Sequence, residues 1–191
     1  MIKAILFDCF GVLANDVWLA FCAGLPADAD VEHATAINRA YDKGLLSRHD
    51  FEQGVLQAVG SLPPLLEDMK PGEMVRNEPL FGLIKGLAPN YKIGLLSNIY
   101  GDWITKTFLT NEDKALFDDI VQSYEVGLTK PDPRIYLLAC SRLGVDPEEA
   151  IMIDDRLSNV DGATAAGLYG IVYDTFVQCS DELTRLLNSN E

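Results

Sequence analysis

The sequence is short of several things, and each shortage excludes something. Histidine occurs only at His33 and His49, so a three-histidine zinc site cannot be assembled. The four cysteines (Cys9, Cys22, Cys140, Cys179) form no C-x-x-C pair and lie far apart. That scatter predicts reduced thiols, not a disulfide frame or a zinc ribbon. Lys and Arg number 15 against 29 Asp and Glu, a formal net charge of −14. So acidic a balance argues against nucleic acid and anionic membrane as partners. No apolar run approaches the roughly 18 residues that suggest a membrane span. The first apolar run, Ala4-Ile5-Leu6-Phe7, meets a carboxylate at once, too soon for the apolar region of a signal peptide. A cytoplasmic location is the expectation. Internal repeats and low-complexity stretches are also lacking.

What remains is an ordinary globular composition, 48% hydrophobic and 23% charged over 191 residues, enough for a real core. Short apolar runs end on polar residues. Lys3 to Phe7 runs into Asp8, and Tyr91 to Leu96 into Ser97-Asn98. Ala150 to Ile153 runs into Asp154-Asp155, and Tyr169 to Tyr173 into Asp174. A weaker run covers Asp119 to Ser123. Helical patterns alternate with them at Pro79–Leu87, Pro133–Leu143, Asn159–Ala166 and Ser180–Leu187, the last with Ser180 as N-cap. Continuous apolar strands alternating with helices predict an α/β fold: a Rossmann-like parallel sheet covered by helices on both faces. In such sheets ligands sit outside the carboxyl ends of the strands, where these polar residues fall.

Residues 15–78 differ. They contain amphipathic helical patterns at Val17–Cys22, Val31–Tyr41 and Phe51–Val59, broken by Gly, Pro and Ser, and no strand pattern. The expected organisation is a core of residues 1–14 and 79–191 with an all-helical cap, residues 15–78, inserted after the first strand.

Four segments carry the chemistry: Phe7-Asp8-Cys9-Phe10-Gly11-Val12, Leu96-Ser97-Asn98, Lys130-Pro131-Asp132-Pro133, and Ile153-Asp154-Asp155-Arg156 through Gly162-Ala163. Each alone reads as a turn, a cap or a solvated charge. In this order and at these strand ends they resemble the haloacid dehalogenase superfamily of hydrolases. The resemblance is closest to its phosphatase branch with a small helical cap, and there to sugar-1-phosphate phosphatases. It implies Asp8 as a nucleophile that forms an aspartyl-phosphate, a carboxylate needing no activating base. It implies Mg²⁺ held by Asp8, Asp154, Asp155 and the main-chain carbonyl of Phe10, an oxygen cage suited to a hard cation. Lys130 would neutralise phosphoryl charge, and Ser97 and Asn98 would hydrogen-bond phosphoryl oxygens. Asn159 and Asp161 would support these or cap a helix. Trp18 and Phe10 are candidates for touching substrate. The implied partner is a small phosphorylated metabolite, bound by a monomer or homodimer.

One position departs from the phosphatase pattern. Two residues after the nucleophile that pattern has an Asp serving as general acid and base; here it is Phe10. Such a group contributes roughly 10²–10⁴-fold in rate. Three readings stay open: a phosphatase whose proton comes from elsewhere or whose leaving group hardly needs one, a 2-haloacid dehalogenase, or a binding or regulatory module. The paired Asp154-Asp155 speaks against the dehalogenase, which binds no Mg²⁺. The intact set of Asp8, Lys130, Asp154 and Asp155 speaks against loss of catalysis. Cys9, Phe21 and Trp103 read as packing residues, and Arg134 and Arg156 as ion-pair or surface residues.

Overall fold

The computed structural model describes residues 1–70 and 72–189. Five strands, β1 (Ala4–Phe7), β2 (Lys92–Ser97), β3 (Asp119–Gln122), β4 (Ala150–Asp154) and β5 (Tyr169–Val172), form one sheet. Its order is β3-β2-β1-β4-β5 and every pairing is parallel. The helices are α1 (Val17–Ala23), α2 (Val31–Asp42), α3 (Arg48–Val59), α4 (Glu78–Leu87), α5 (Asn111–Lys114), α6 (Ser123–Val126), α7 (Pro133–Leu143), α8 (Leu157–Ala165) and α9 (Phe176–Ser189).

Side chains alternate across a strand, and β1 fills two cores at once. Ile5 and Phe7 pack with α4 and α9 through Leu80, Ile84, Cys179 and Leu183. Ala4 and Leu6 pack on the other face with α7 through Ile135, Tyr136 and Ala139. With all four β1 residues buried, neither face of the central strand can meet water. The α/β fold with helices on both faces is therefore as the apolar runs predict. The expected N-cap at Ser180 is not: α9 already begins at Phe176, and Thr175 Oγ1 accepts from the Gln178 N–H at 3.2 Å. Phe176, Cys179 and Leu183 share one side of that helix, so its buried face starts before Ser180.

Between β1 and β2 the described residues form helices and loops, with no strand. A separate aromatic cluster built on Tyr41, Phe51 and Val55, with Trp18, Phe21 and Tyr100 packed against it, holds α1–α3 together. The chain leaves the sheet and returns to it along adjacent tracks. Ala14 and Arg76 form an antiparallel bridge. The Asn77 N–H donates to the Leu13 carbonyl at 2.9 Å, and Val75 N–H donates to Asn15 Oδ1 at 2.9 Å. Asn77 Nδ2 ties this ribbon to the Val12 carbonyl at 2.8 Å and to the Tyr173 hydroxyl at 2.7 Å.

Candidate active site

Parallel pairing in register brings the ends of β1, β2 and β4 to one edge of the sheet. Asp8 follows β1, Ser97 closes β2, and Asp154 closes β4 with Asp155 next in line. One carboxylate oxygen from each of Asp8, Asp154 and Asp155 lies within 4.8 Å of the others. Lys130, from the loop before α7, reaches into this group with its side chain fully buried. Its Nζ lies 2.8 Å from Asp8 Oδ1 and 2.5 Å from Asp154 Oδ2.

The neighbours fix each of these groups. Asp8 Oδ1 also accepts from the Cys9 N–H at 2.6 Å. Asp154 accepts from the Arg156 N–H at 2.9 Å and from Asn159 Nδ2 at 2.9 and 3.1 Å. Asn159, in the first turn of α8, thus acts on the carboxylate five residues before it. Asp161 is exposed on the same helix. Asn98 spends both ends of its amide on Lys130: Nδ2 donates to the Lys130 carbonyl at 3.0 Å, and Oδ1 accepts from the Lys130 N–H at 2.8 Å. A tight approach needs glycine twice. Gly11 has φ 83°, and a side chain there would overlap the Asp155 carboxylate. Gly162, inside α8, lies against Pro131, so that the helix closes on the loop bearing Lys130.

The electrostatics follow from this crowding. Burial pushes Asp8 well above the ordinary carboxylate range and the Asp154 charge pushes it further, against the pull of Lys130. Asp155 rises to about 6 through burial and the charge of Asp154. Burial acts on Asp154 too, but Lys130, the Arg156 N–H and Asn159 outweigh it and hold that carboxyl below its usual value. Lys130 is raised because its two carboxylate neighbours exceed the cost of burying the ammonium. Burial pushes the Cys9 thiol far up, followed by the charge of Asp8, so Cys9 is no thiolate nucleophile.

The donor set fits a hard divalent cation. It is all oxygen, and the three carboxylates repel one another at this spacing. Asp155 Oδ1 is buried without a hydrogen-bond partner. Ser97 Oγ is the other orphan here, fully buried at the end of β2 and unpartnered, which costs free energy unless a ligand meets it.

A cavity of about 120 Å³ opens over this edge. Asp8, Phe10, Asn98 and Lys130 line it from the sheet, and Trp18, Tyr41, Asp42 and Phe51 from the helices above. The Phe10 ring also leans on Trp103, with centroids 6.3 Å apart. Across the entrance, Arg156 Nη2 donates to Asp16 Oδ2 at 2.6 Å, joining the segment after β4 to the N-cap of α1. The sequence-predicted residues Asp8, Phe10, Ser97, Asn98, Lys130, Asp154 and Asp155 all gather at this edge, with Trp18 on the far wall. The motif reading missed Asp42. It closes α2, where a polar residue is unremarkable, and only the docking of that helix end puts it in the cavity. Burial lifts its carboxyl to about 7, with Arg156 pulling it down and Asp16 pushing it up.

Comparison with known proteins agrees with this geometry. The family model described as haloacid dehalogenase-like hydrolase matches residues 2–167. A D-ribitol-5-phosphate phosphatase of Bacteroides thetaiotaomicron is 29% identical, over 99% of this chain and 100% of its own length. Among solved structures, a predicted HAD-like family hydrolase from Porphyromonas gingivalis has a similar fold, with TM-score 0.69, 24% identity and 98% of both chains covered. So has a HAD family enzyme of Bacteroides thetaiotaomicron in complex with magnesium and inorganic phosphate, with TM-score 0.62, 23% identity, and 92% and 96% covered. The strand-end carboxylates, the buried lysine and a family match over most of the length converge, and the chain belongs to the haloacid dehalogenase-like hydrolases.

Proposed function

We propose that this hydrolase cleaves a small phosphomonoester, such as a sugar phosphate, through an aspartyl-phosphate on Asp8. The observation that carries this reading is Lys130 Nζ bridging Asp8 and Asp154 beside a third carboxylate. A buried ammonium so placed favours the charged form of the nucleophile against the cost of its burial and offsets the charge of an incoming phosphoryl group. The likeness to a ribitol-phosphate phosphatase over the whole chain supports the substrate class.

Asp8, Asp154, Asp155 and the Phe10 carbonyl would hold Mg²⁺, which supplies positive charge against the repulsion between carboxylate and phosphate. Asp8 attacks phosphorus; the bond to the ester oxygen breaks, and water later releases inorganic phosphate from Asp8. Ser97 Oγ donates to a phosphoryl oxygen, satisfying its orphaned hydroxyl. Asn98 holds the Lys130 main chain and so aims its ammonium; this differs from direct phosphate contact through the side chain. Asn159 fixes the Asp154 carboxylate. Residues 15–78 form the cap that covers the site and selects the ester, with Trp18 on its inner wall.

The test is phosphate release from ribitol 5-phosphate, glucose 1-phosphate and p-nitrophenyl phosphate, with Mg²⁺ or with EDTA. Activity is expected only with Mg²⁺. Turnover indifferent to EDTA, or retained in Asp8→Asn, would overturn the mechanism. Chloride release from 2-chloropropionate would establish the dehalogenase reading instead.

A further inference from the structure

The proposed reaction leaves one task unassigned. Expelling an alkoxide from a sugar phosphate calls for a proton, and Phe10 has none to give. Among the described residues the cavity is lined by four carboxyls: Asp8, Asp16, Asp42 and Glu67. Asp8 is the nucleophile. Asp16 is held by the Arg156 guanidinium at 2.6 Å and caps α1 by accepting from the Leu19 N–H. Glu67 accepts from the Tyr41 hydroxyl at 2.6 Å and faces Arg48 at 3.7 Å. Asp42 alone is in contact with no cation; its side chain accepts from Asn38 Nδ2 at 3.1 Å.

Its placement is fixed from the sheet side, although it belongs to α2. The Asp42 carbonyl accepts from Ser123 Oγ at 2.6 Å, and the same hydroxyl oxygen accepts from the Ile99 N–H at 2.9 Å. The Tyr100 main chain also lies against its carboxylate and favours the charged form. Asn98, two residues before Tyr100, grips the Lys130 main chain, and Lys130 holds Asp8. A continuous set of bonds therefore locks Asp42 to the loop that orders the nucleophile. A carboxylate at a helix C-terminus also faces the negative end of the helix dipole, which favours its protonated form.

Resting on the phosphatase reading, we infer that Asp42 is the proton donor to the leaving group, the part for which position 10 has no carboxyl. As Asp8 forms its bond to phosphorus, the P–O ester bond breaks and its electron pair stays on the ester oxygen. That oxygen takes the proton from Asp42. The Asp42 carboxylate then accepts a proton from the water that displaces Asp8, so the cycle closes with one ester and one water consumed. Asn38 bonds to the Asp42 carboxylate, Asp16 and Arg156 act on it by charge and Tyr100 through its main chain, Arg39 and Glu67 line the same cavity, and Lys43 follows it in the chain. Burial among them, with Asp16 repelling and Arg156 attracting, puts the carboxyl at about 7. A fraction is thus protonated at neutral pH, as a general acid requires.

The experiment compares single-turnover phosphoryl transfer from a sugar phosphate with that from p-nitrophenyl phosphate, whose leaving group departs without a proton. Asp42→Asn should slow the sugar ester by about 10²-fold more than the aryl ester, and Asp42→Glu should restore part of the difference. In the wild type, kcat/KM for the sugar ester should fall as pH rises through about 7, while the aryl ester shows no such fall. Equal losses on both esters in Asp42→Asn, or a wild-type sugar-ester profile without that limb, would overturn the assignment. The profile needs no variant, so it decides even if Asp42→Asn misfolds. A wild type that releases phosphate from no ester removes the phosphatase reading, and this assignment with it.

Discussion

At the strand ends Asp8, Lys130 and Asp154 are each held by several partners, whereas the helices above them are held by rings. Asp154 takes hydrogen bonds from Lys130, the Arg156 main chain and Asn159, and both Lys130 and Asp154 are excluded from water. Opposite, α1 buries no residue fully, and α2 and α3 bury two each. Their contacts are aromatic: Tyr41 stacks on Tyr100 at 4.1 Å and on Phe51 at 4.4 Å. Charge in a dry setting must be satisfied group by group, so the sheet edge permits one arrangement. Apolar contact is non-directional, and a wall made from it tolerates changes of shape. On the proposed reading the nucleophile thus lies where exchange is costly, and the choice of ester where it is cheap.

Substitutions can break that contrast. Asp8→Asn should lower turnover by about 10⁴-fold or more on every ester, because a nucleophile is indifferent to what leaves; loss on some esters alone would place substrate selection at the strand ends. Phe51→Ala removes a buried ring from the aromatic cluster and should cost about 3–5 kcal/mol in chemical denaturation. Its kinetic mark should be a raised KM for sugar esters, with phosphoryl transfer persisting; a collapse of kcat on aryl ester as well would show that the wall also sets the chemistry. Asn159→Ala frees Asp154 and should weaken Mg²⁺ by roughly 10–100-fold, read from activity against metal concentration and from the Mg²⁺-dependent rise in melting temperature.

The smallest effect concerns pH. Asp42 and Asp155 have carboxyls raised in the folded state, to about 7 and about 6. The folded chain therefore binds more protons than the unfolded chain between the unfolded value and those figures, and stability falls as pH rises through that window. Asp154 is depressed and works the other way: its contribution is present above the unfolded value and lost as pH falls through the folded one. Asp42→Asn should flatten the melting-temperature slope between pH 5 and about 7. An unchanged slope would mean that this carboxyl is as well solvated as an ordinary surface acid.

The sheet edge was legible in the sequence because its pattern is local. Apolar runs stop at Asp8, Ser97 and Asp154, and parallel pairing brings such stops together. The roles of Asn98 and Asn159 were only half legible: their positions stand in the motifs, but their bonds to the Lys130 main chain and to the Asp154 carboxylate depend on how loop and helix pack. Ser180 misled because a hydroxyl before two acids resembles a cap, while the buried face of α9 begins four residues earlier. Asp42 left no signal. Its environment comes from Ser123 and Tyr100, 81 and 58 positions away, and no periodicity in α2 encodes either.

The paired tracks at Ala14 and Arg76 have a consequence for the history of such chains. Where an excursion leaves and rejoins a scaffold at neighbouring points, lengthening it costs the scaffold little, since closure entropy grows only with the logarithm of loop length. The ribbon clasped by Asn77 works as a socket. On the proposed reading of residues 15–78 as a cap, a shorter or longer excursion plugged into it should leave the strands on either side in register.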